Sequence, residues 1–272
     1  MTVTEALADA ARRLSVVSDT PRLDAELLMA HALGLTRDRL LLDPPRQEAP
    51  PALVAMLERR LAHEPIAYII GHREFWTIDL AVGPGVLIPR PDSETLIEAA
   101  VVHFGLAGPR SVLDLGTGSG ALLLAALAQW PQATGLGVDT SEAALAVARG
   151  NAERLGLASR ARIDRGSWDA ASRGDFDLIL CNPPYIETGA VLPPDVADYE
   201  PASALYAGGD GLDDYRQIAP LLRLPTGGIA CVEIGATQAQ AVRTLFAAAG
   251  FLTRVNTDLA GHDRCIVVAP QA

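Results

Sequence analysis

Apolar residues recur at helical spacing over the first 65 residues of the chain. One such segment covers residues 23–32 and is followed by Gly34, a residue that commonly terminates helices. The pattern returns over residues 52–61, after a loop that holds four prolines in the eleven residues of LLDPPRQEAPP. Residues 1–65 are therefore predicted to form a small all-α domain.

Short β-like runs replace the helical pattern over residues 66–90. Glycine and proline separate the runs, most clearly at Gly71 and at the cluster Gly83-Pro84-Gly85. The runs themselves cover residues 66–70, 75–80 and 86–88. We interpret this region as a β-hairpin connector.

From about residue 91 onward, apolar strand patterns alternate with helical ones. The strand candidates are residues 111–115, 135–139, 161–164, 177–181, 228–234, 252–256 and 263–268. Helical patterns lie between most of them, for example over residues 121–130, 141–155 and 237–249. Such alternation predicts an α/β domain over residues 91–272, with a mostly parallel sheet covered on both faces. Ligands of such sheets bind at the carboxyl ends of the strands.

Composition narrows the classes of protein to consider. The chain has 272 residues, of which 49% are hydrophobic, and this excludes disorder as the dominant state. Its net charge of −11 argues against stable binding to bulk nucleic acid. No apolar run approaches the roughly 18 residues of a membrane helix, so no membrane association is expected.

The cysteines and the N-terminus indicate the compartment. Cys181, Cys231 and Cys265 are widely spaced and each lies in an apolar run, which is typical of buried thiols in a reducing environment. The first residues, MTVTEALADAARRL, lack the layout of a signal peptide. The five histidines show no metal-ligand spacing. We expect a cytoplasmic protein without a metal site.

A glycine-rich turn follows the first strand candidate, SVLDL, and precedes an apolar helix. It reads Gly116-Thr117-Gly118-Ser119-Gly120. Glycines allow positive φ angles and a close approach of the backbone to a ligand, and the helix start offers free N–H groups. The spacing differs from the dinucleotide fingerprint G-x-G-x-x-G, and no lysine follows as in a phosphate loop. The turn predicts a binding site for a nucleotide-like ligand.

Three further side chains are candidates for this site. Asp139 ends the next strand, where it can accept hydrogen bonds from both hydroxyls of a ribose, although it could also cap the following helix in place of Thr140 or Ser141. Asp114 can orient the glycine turn or meet an amino group of the ligand. Trp168 either lines an adenine pocket or belongs to the core.

The fourth strand candidate ends in the tetrapeptide Asn182-Pro183-Pro184-Tyr185. The two prolines stiffen the backbone, so that the carbonyl of Pro183 points in one direction, and Asn182 adds a side-chain acceptor. Together they suit a planar group that bears an NH₂, on which the ring of Tyr185 packs. The two acceptors would raise the electron density of that nitrogen and orient it toward an electrophilic methyl group. The alternative interpretation is an ordinary proline turn.

These motifs resemble those of the class I S-adenosylmethionine-dependent methyltransferases that modify planar amino groups. The rest of the chain is similar to the bacterial peptide chain release factor glutamine N5-methyltransferase family in consecutive blocks. The blocks are EPIAYIIGHREFW (64–76), GVLIPRPDSETLIE (85–98), VLDLGTGSGAL (112–122), DLILCNPPYI (177–186), EPASALYAGGDGLDDYR (200–216) and VEIGATQA (232–239). This resemblance covers nearly the whole chain.

The resemblance implies a Rossmann-like sheet of seven strands, the last of them antiparallel, and methylation of the glutamine in the Gly-Gly-Gln loop of release factors. S-adenosylmethionine would be the cofactor and S-adenosylhomocysteine its product. Cofactor contacts would fall on Gly116, Thr117, Gly118, Ser119, Gly120, Asp139, Trp168 and Asn182. Substrate contacts would fall on Asn182, Pro183, Pro184 and Tyr185, with catalysis by Asn182, Pro183 and Tyr185. The helices of residues 1–65 would recognise the release factor.

Other interpretations stay open at this point. An adenine-N6 nucleic-acid methyltransferase shares the tetrapeptide, but it calls for a basic groove that the acidic chain does not suggest. A non-catalytic binding module would be expected to have lost Asn182. Arg90 either closes over the active site or pairs with Asp92 or Glu94, and Glu200 is interpreted as a residue of loop architecture.

Overall fold

A computed structural model describes residues 1–271, and the chain divides into two compact units. The first unit comprises Met1–His72 together with the short segment Leu192–Tyr199. The second comprises Arg73–Val191 and the chain from Glu200 onward. The predicted division into residues 1–65, 66–90 and 91–272 stays a prediction. Within residues 1–271, no helix combines the length and the apolarity needed to cross a membrane.

Residues 1–72 of the first unit contain five helices around one apolar core. They are α1 (Val3–Leu14), α2 (Pro21–Leu33), α3 (Arg37–Leu42), α4 (Ala52–Leu61) and α5 (Ile66–Ile70). Helix α1 begins with a capping box, in which the side chains of Thr2 and Glu5 each accept a backbone N–H from the other residue. Helix α2 ends at Gly34, which adopts a φ of +67°. The predicted helical N-terminal region is confirmed.

Helix α5 corrects the prediction of a β-like run over residues 66–70. The isoleucines in this segment favour strands, but propensity is weak against tertiary packing. Ile66, Ile69 and Ile70 all pack against the core of the first unit, which needs them on one side of a helix. Pro65 precedes the segment, and Gly71 ends it with a φ of +80°.

The rest of the predicted connector contains one hairpin and one irregular segment. Strands β1 (His72–Phe75) and β2 (Ile78–Ala81) form a two-stranded sheet, as the hairpin interpretation expects. Residues 86–88, however, form no strand. Instead of joining a sheet, Ile88 donates its N–H to the carboxylate of Glu200 at 3.0 Å.

A seven-stranded sheet forms the centre of the second unit. Its strands are β3 (Ser111–Leu115), β4 (Thr134–Asp139), β5 (Ala161–Arg165), β6 (Leu178–Cys181), β7 (Ile229–Glu233), β8 (Phe251–Thr257) and β9 (Asp263–Pro270). They lie in the order β5-β4-β3-β6-β7-β9-β8, and β9 runs antiparallel to both of its neighbours. The predicted sheet, including its reversed last strand, is confirmed.

Helices cover both faces of this sheet. The second unit contains α6 (Glu94–Phe104), α7 (Ala121–Gln129), α8 (Glu142–Arg154), α10 (Asp213–Ile218) and α11 (Ala239–Ala248), whereas the short α9 (Pro194–Ala197) belongs to the first unit. Successive residues of β6 alternate between the two faces. Leu178 and Leu180 join one buried cluster, and Ile179 and Cys181 join the other.

Candidate active site

A cavity of about 360 Å³ lies at the carboxyl ends of the parallel strands. Its position next to β3 and β6, where the strand order changes direction, is the usual ligand site of such sheets. Its volume falls at the lower end of the range of small-molecule sites. The lining comprises Gly85, Val86, Leu87, Gly116, Gly118, Asp139, Thr140, Ser141, Ala144, Gly166, Ser167, Trp168, Asn182, Pro184, Pro201, Ser203, Ala204, Tyr206 and Asp214.

The glycine turn forms the floor of this cavity. The N–H groups of Gly116 and Thr117 both donate to the carbonyl of Val138 at 2.9 Å, which holds the turn against β4. Gly116 adopts a φ of +70°, and a Cβ atom there would lie 3.2 Å from the ring of Trp168. A side chain at this position would therefore intrude between the turn and the tryptophan.

Asp114 holds the turn from below. Its Oδ2 accepts hydrogen bonds from the hydroxyl of Thr117 at 2.6 Å and from the N–H of Leu123 at 3.2 Å. Within residues 1–271, its Oδ1 has no hydrogen-bond partner. Burial raises the pKa of this carboxyl to about 7, although the bonds from Thr117 and Leu123 oppose the shift. These contacts support the interpretation that Asp114 orients the turn.

Asp139 joins the glycine turn to the start of α8. Its Oδ2 accepts the N–H of Gly118 at 2.9 Å, and its Oδ1 accepts the N–H of Ser141 at 2.8 Å. The N-cap of α8 is Ser141, whose hydroxyl accepts the N–H of Ala144. Because each carboxylate oxygen can accept a second hydrogen bond, Asp139 still offers acceptors to a ligand in the cavity that it lines.

Trp168 lies on the wall beside Gly116. Its ring is half-buried, and its Nε1–H donates to Asp214 at 2.9 Å. Burial raises the pKa of Asp214, while the bond from Trp168 lowers it. The tryptophan is thus held by a residue of α10 and presents a flat aromatic surface to the cavity.

The tetrapeptide after β6 is split between the cavity and the core. Asn182 and Pro184 line the cavity, whereas Pro183 is buried. Tyr185 does not line it, and its hydroxyl donates to Glu233 at 3.4 Å. Burial, together with this pairing, raises the pKa of Tyr185 above its usual value.

Two amide side chains hold the tetrapeptide in place. The Nδ2 of Asn182 donates to the hydroxyl oxygen of Ser93 at 3.3 Å. The Nε2 of Gln238 donates to the carbonyl of Tyr185 at 2.9 Å and to that of Gly211 at 3.2 Å. A Cβ atom at Gly211 would lie 2.4 Å from the carbonyl oxygen of Tyr185, so the two backbones meet without room for a side chain.

Some of the residues predicted from the sequence therefore lie around one cavity, and others do not. Those on its lining are Gly116, Gly118, Asp139, Trp168, Asn182 and Pro184. Those that do not line it are Thr117, Ser119, Gly120, Pro183 and Tyr185. The second set shapes the turn and the tetrapeptide that carry the first. The ligand-binding and catalytic roles of both sets stay predictions.

Arg90 corrects a prediction about its partner. The sequence suggested a pair with Asp92 or Glu94, but the guanidinium pairs with the carboxylate of Glu200, whose side chain is almost fully buried. Because Glu200 also accepts the N–H of Ile88, it holds residues 88–90 beside the segment that begins at Pro201. Both segments adjoin walls of the cavity.

Sequence reasoning missed several residues around the site. Ser93, Asp214 and Glu233 received no role, although each contacts a residue that was predicted to act there. In the sequence, these residues are marked only by their place in the family-like blocks. Their spacing does not link them to their partners, which lie 46 to 89 residues away in the chain. No group of three metal-ligating side chains comes together within the part of the chain that the structure describes.

The fold and the site together define a class I methyltransferase. Residues 92–198 match the family model described as the methyltransferase small domain, and residues 5–71 match that of the PrmC N-terminal domain. A crystal structure of a methyltransferase from Pyrococcus furiosus shares the fold, with a TM-score of 0.52 and 17% identity over 78% of this chain and 95% of that one.

Comparison with curated proteins defines the family. The release factor glutamine methyltransferase of Rhodospirillum rubrum is 46% identical, over 96% of this chain and 82% of that protein. The protein of the same name from Caulobacter vibrioides is 46% identical, over 92% of this chain and 89% of that protein. The chain belongs to the release factor glutamine methyltransferase family.

Proposed function

We propose that the protein transfers a methyl group from S-adenosylmethionine to the side-chain nitrogen of the glutamine in the Gly-Gly-Gln loop of peptide chain release factors. The observation that carries this proposal is the hydrogen bonding of the Asn182 amide, which lines the cavity. Its Nδ2 is bonded to Ser93, while its Oδ1 has no hydrogen-bond partner within residues 1–271. An amide acceptor is therefore free to receive a hydrogen from a planar NH₂ group.

The cavity suits S-adenosylmethionine. Gly116 and Gly118 would hold it on bare backbone, Asp139 would accept hydrogen bonds from the ribose hydroxyls, and Trp168 would lie against the adenine. The open acceptor positions of Asp139 and the tight clearance of 3.2 Å that a Cβ at Gly116 would have to Trp168 both fit this assignment. When bound, S-adenosylmethionine supplies an electrophilic methyl group, and S-adenosylhomocysteine remains after transfer.

The chain's own residues orient the substrate amide. Asn182 Oδ1 and the carbonyl of Pro183 would each accept one hydrogen of the glutamine NH₂. Both acceptors draw the hydrogens toward themselves, so electron density at the nitrogen increases and its lone pair is directed into the cavity. The orientation requires a rigid backbone, which Gln238 supports by holding the carbonyl of Tyr185.

The partner would be a release factor, recognised by the helices of the first unit. The relatives named above bear that substrate in their names. The net charge of −11 favours a protein substrate over stable binding to nucleic acid. Because release factors act in translation, we propose a cytoplasmic location.

The test is methyl transfer from labelled S-adenosylmethionine to a purified bacterial release factor. A matched release factor in which the Gly-Gly-Gln glutamine is replaced serves as the control substrate. We expect label on the first and none on the second. If neither is labelled although the cofactor binds, the proposed substrate is wrong, and adenine-bearing nucleic acid becomes the next substrate to assay.

A further inference from the structure

Glu233 is a buried carboxylic acid that lies level with Asn182. It ends β7, and the pairing of Cys181 with Val232 brings the next residue of each strand, Asn182 and Glu233, to the same height. The side chain of Glu233 is almost fully buried, at 1% exposure. An acidic group in such a place is costly unless it is hydrogen-bonded or remains protonated. An apolar residue would fill the same space without that cost.

Glu233 contacts Tyr185 of the tetrapeptide directly and lies close to Ser93, which contacts Asn182. Its Oε1 accepts the hydroxyl of Tyr185 at 3.4 Å. Burial raises the pKa of this carboxyl, and the hydroxyl of Ser93, which lies close to it, lowers the pKa. The Oε2 atom has no hydrogen-bond partner among the described residues, so it can still accept one. The same Ser93 oxygen accepts the Nδ2–H of Asn182 at 3.3 Å. Ser93 is itself buried, at 3% exposure.

The hydrogen-bonding capacities of these groups select one orientation. A serine hydroxyl can donate one hydrogen and accept others, whereas an ionised carboxylate can only accept. Beside ionised Glu233, the hydrogen of Ser93 would turn toward the carboxylate, because the oxygen of Ser93 already accepts the Nδ2–H of Asn182. The NH₂ end of Asn182 then binds Ser93, and its Oδ1 faces the cavity. Without that bias, the two ends of the Asn182 amide could exchange places.

We propose that Glu233 and Ser93 are positioning residues, which fix the orientation of the Asn182 amide so that its oxygen faces the substrate. This inference rests on the proposed function for its consequence in catalysis. The orientation itself is a property of the free protein. It can therefore be measured without a release factor.

The charged and titratable groups around Glu233 come from several elements. The groups whose charge affects the pKa of Glu233, or whose pKa is affected by its charge, are Asp92, Cys181, Tyr185, Tyr215, Arg264 and Cys265. Burial raises the pKa of Glu233 to about 7, against the lowering effects of Ser93, Arg264 and Tyr185. The carboxyl thus changes charge near neutral pH, which gives the test a titration to follow.

The chain offers a direct spectroscopic probe. It contains only three asparagines, Asn151, Asn182 and Asn256. Labelling with ¹⁵N-asparagine gives three side-chain NH₂ signals, and the Asn182 signal is the one lost in Asn182→Ala. We expect it to shift between pH 5 and 9 with a midpoint near 7. Glu233→Gln and Ser93→Ala should each remove this transition, while the other two signals show that each variant is folded.

The matched control is Asp258→Asn. Asp258 pairs with Arg264 at 3.2 Å, as Asp92 does at 3.3 Å, so the control removes an acid that shares the partner Arg264 but is not among the groups that act on Glu233. It should keep the Asn182 transition. A transition that persists unchanged in Glu233→Gln would overturn the proposal.

Kinetics at saturating cofactor give the second readout. We expect Glu233→Gln to lower kcat at least tenfold, to change the Kd for S-adenosylmethionine less than twofold, and to lose the rise of kcat with pH near 7. A kcat within twofold of the original protein would overturn the positioning role. If the unmodified protein methylates no release factor while the Asn182 transition depends on Glu233, the positioning is supported and the proposed substrate is wrong.

Discussion

Replacing Asp114 by asparagine removes a buried carboxyl whose ionisation lowers the free energy of unfolding. Asp114 is buried, and its pKa is about 7 in the folded protein, against an ordinary value near 3.8. Between these two values the folded state binds more protons than the unfolded state. The free energy of unfolding contributed by this group therefore falls as the pH rises from about 4 to 7 and is constant above that.

The magnitude follows from the size of the shift. Each pH unit below the folded pKa is worth about 1.4 kcal/mol, so the two units between pH 5 and 7 amount to roughly 3 kcal/mol. The asparagine of the variant cannot ionise, and its oxygen can still accept the bonds from Thr117 and Leu123. Its NH₂ group would replace the unpartnered Oδ1, at an expected cost of about 1–3 kcal/mol at every pH. We therefore expect the stability of Asp114→Asn, relative to that of the original protein, to be roughly 3 kcal/mol more favourable at pH 8 than at pH 5.

Urea unfolding of the cofactor-free protein at pH 5 and pH 8 measures this difference. All three tryptophans, Trp76, Trp130 and Trp168, lie in the second unit, so their fluorescence reports the unit that holds Asp114. The carboxyl of Glu233 titrates in both proteins, and its effect cancels in the comparison. If the stability difference between variant and original is the same at both pH values to within about 0.5 kcal/mol, the reasoning from burial is refuted.

Three further substitutions test the site. Asp139→Ala should weaken S-adenosylmethionine about 10- to 100-fold in an equilibrium titration, because a charged acceptor is lost; unchanged affinity would remove Asp139 from the cofactor site. Asn182→Ala should nearly abolish single-turnover methyl transfer with cofactor affinity within about tenfold, and a half-normal rate would contradict its role. Gly211→Ala should lower stability by roughly 2 kcal/mol in thermal unfolding, because it combines a φ of +70° with a Cβ atom 2.4 Å from Tyr185; an unchanged melting temperature would show that the loop adapts.

The sheet and about a third of the cavity lining, six of its nineteen residues, could be predicted because their signals are local. A strand, a glycine turn and a helix follow one another within about twenty residues around Gly116. Asp139 ends the next strand, and Asn182 comes directly after another. The carboxyl ends of parallel strands meet at one edge, so these positions converge without knowledge of any long-range contact.

The partners of these residues could not be predicted in the same way. Arg90 has two acids within four positions, and either could have been its partner, yet it pairs with Glu200, 110 residues away. Glu233 lay inside the strand candidate of residues 228–234, and nothing in the spacing connects it to Tyr185 or Ser93. The helix at Ile66–Ile70 was missed for a related reason, since its core neighbours outweigh the strand preference of its isoleucines.

The path of the chain limits how the two units could have been combined. Leu192–Tyr199 leaves the second unit and packs with the first, where the hydroxyl of Tyr199 donates to the carbonyl of Ala62 at 2.7 Å. The next residue is Glu200, the partner of Arg90. A single genetic crossover near residue 72 would therefore combine the helices of one relative with residues 192–199 of another, although these residues pack against the original helices. If the helical unit is exchanged between relatives, residues 1–72 and 192–199 must be exchanged together. We therefore expect these two segments to be inherited from the same parent sequence.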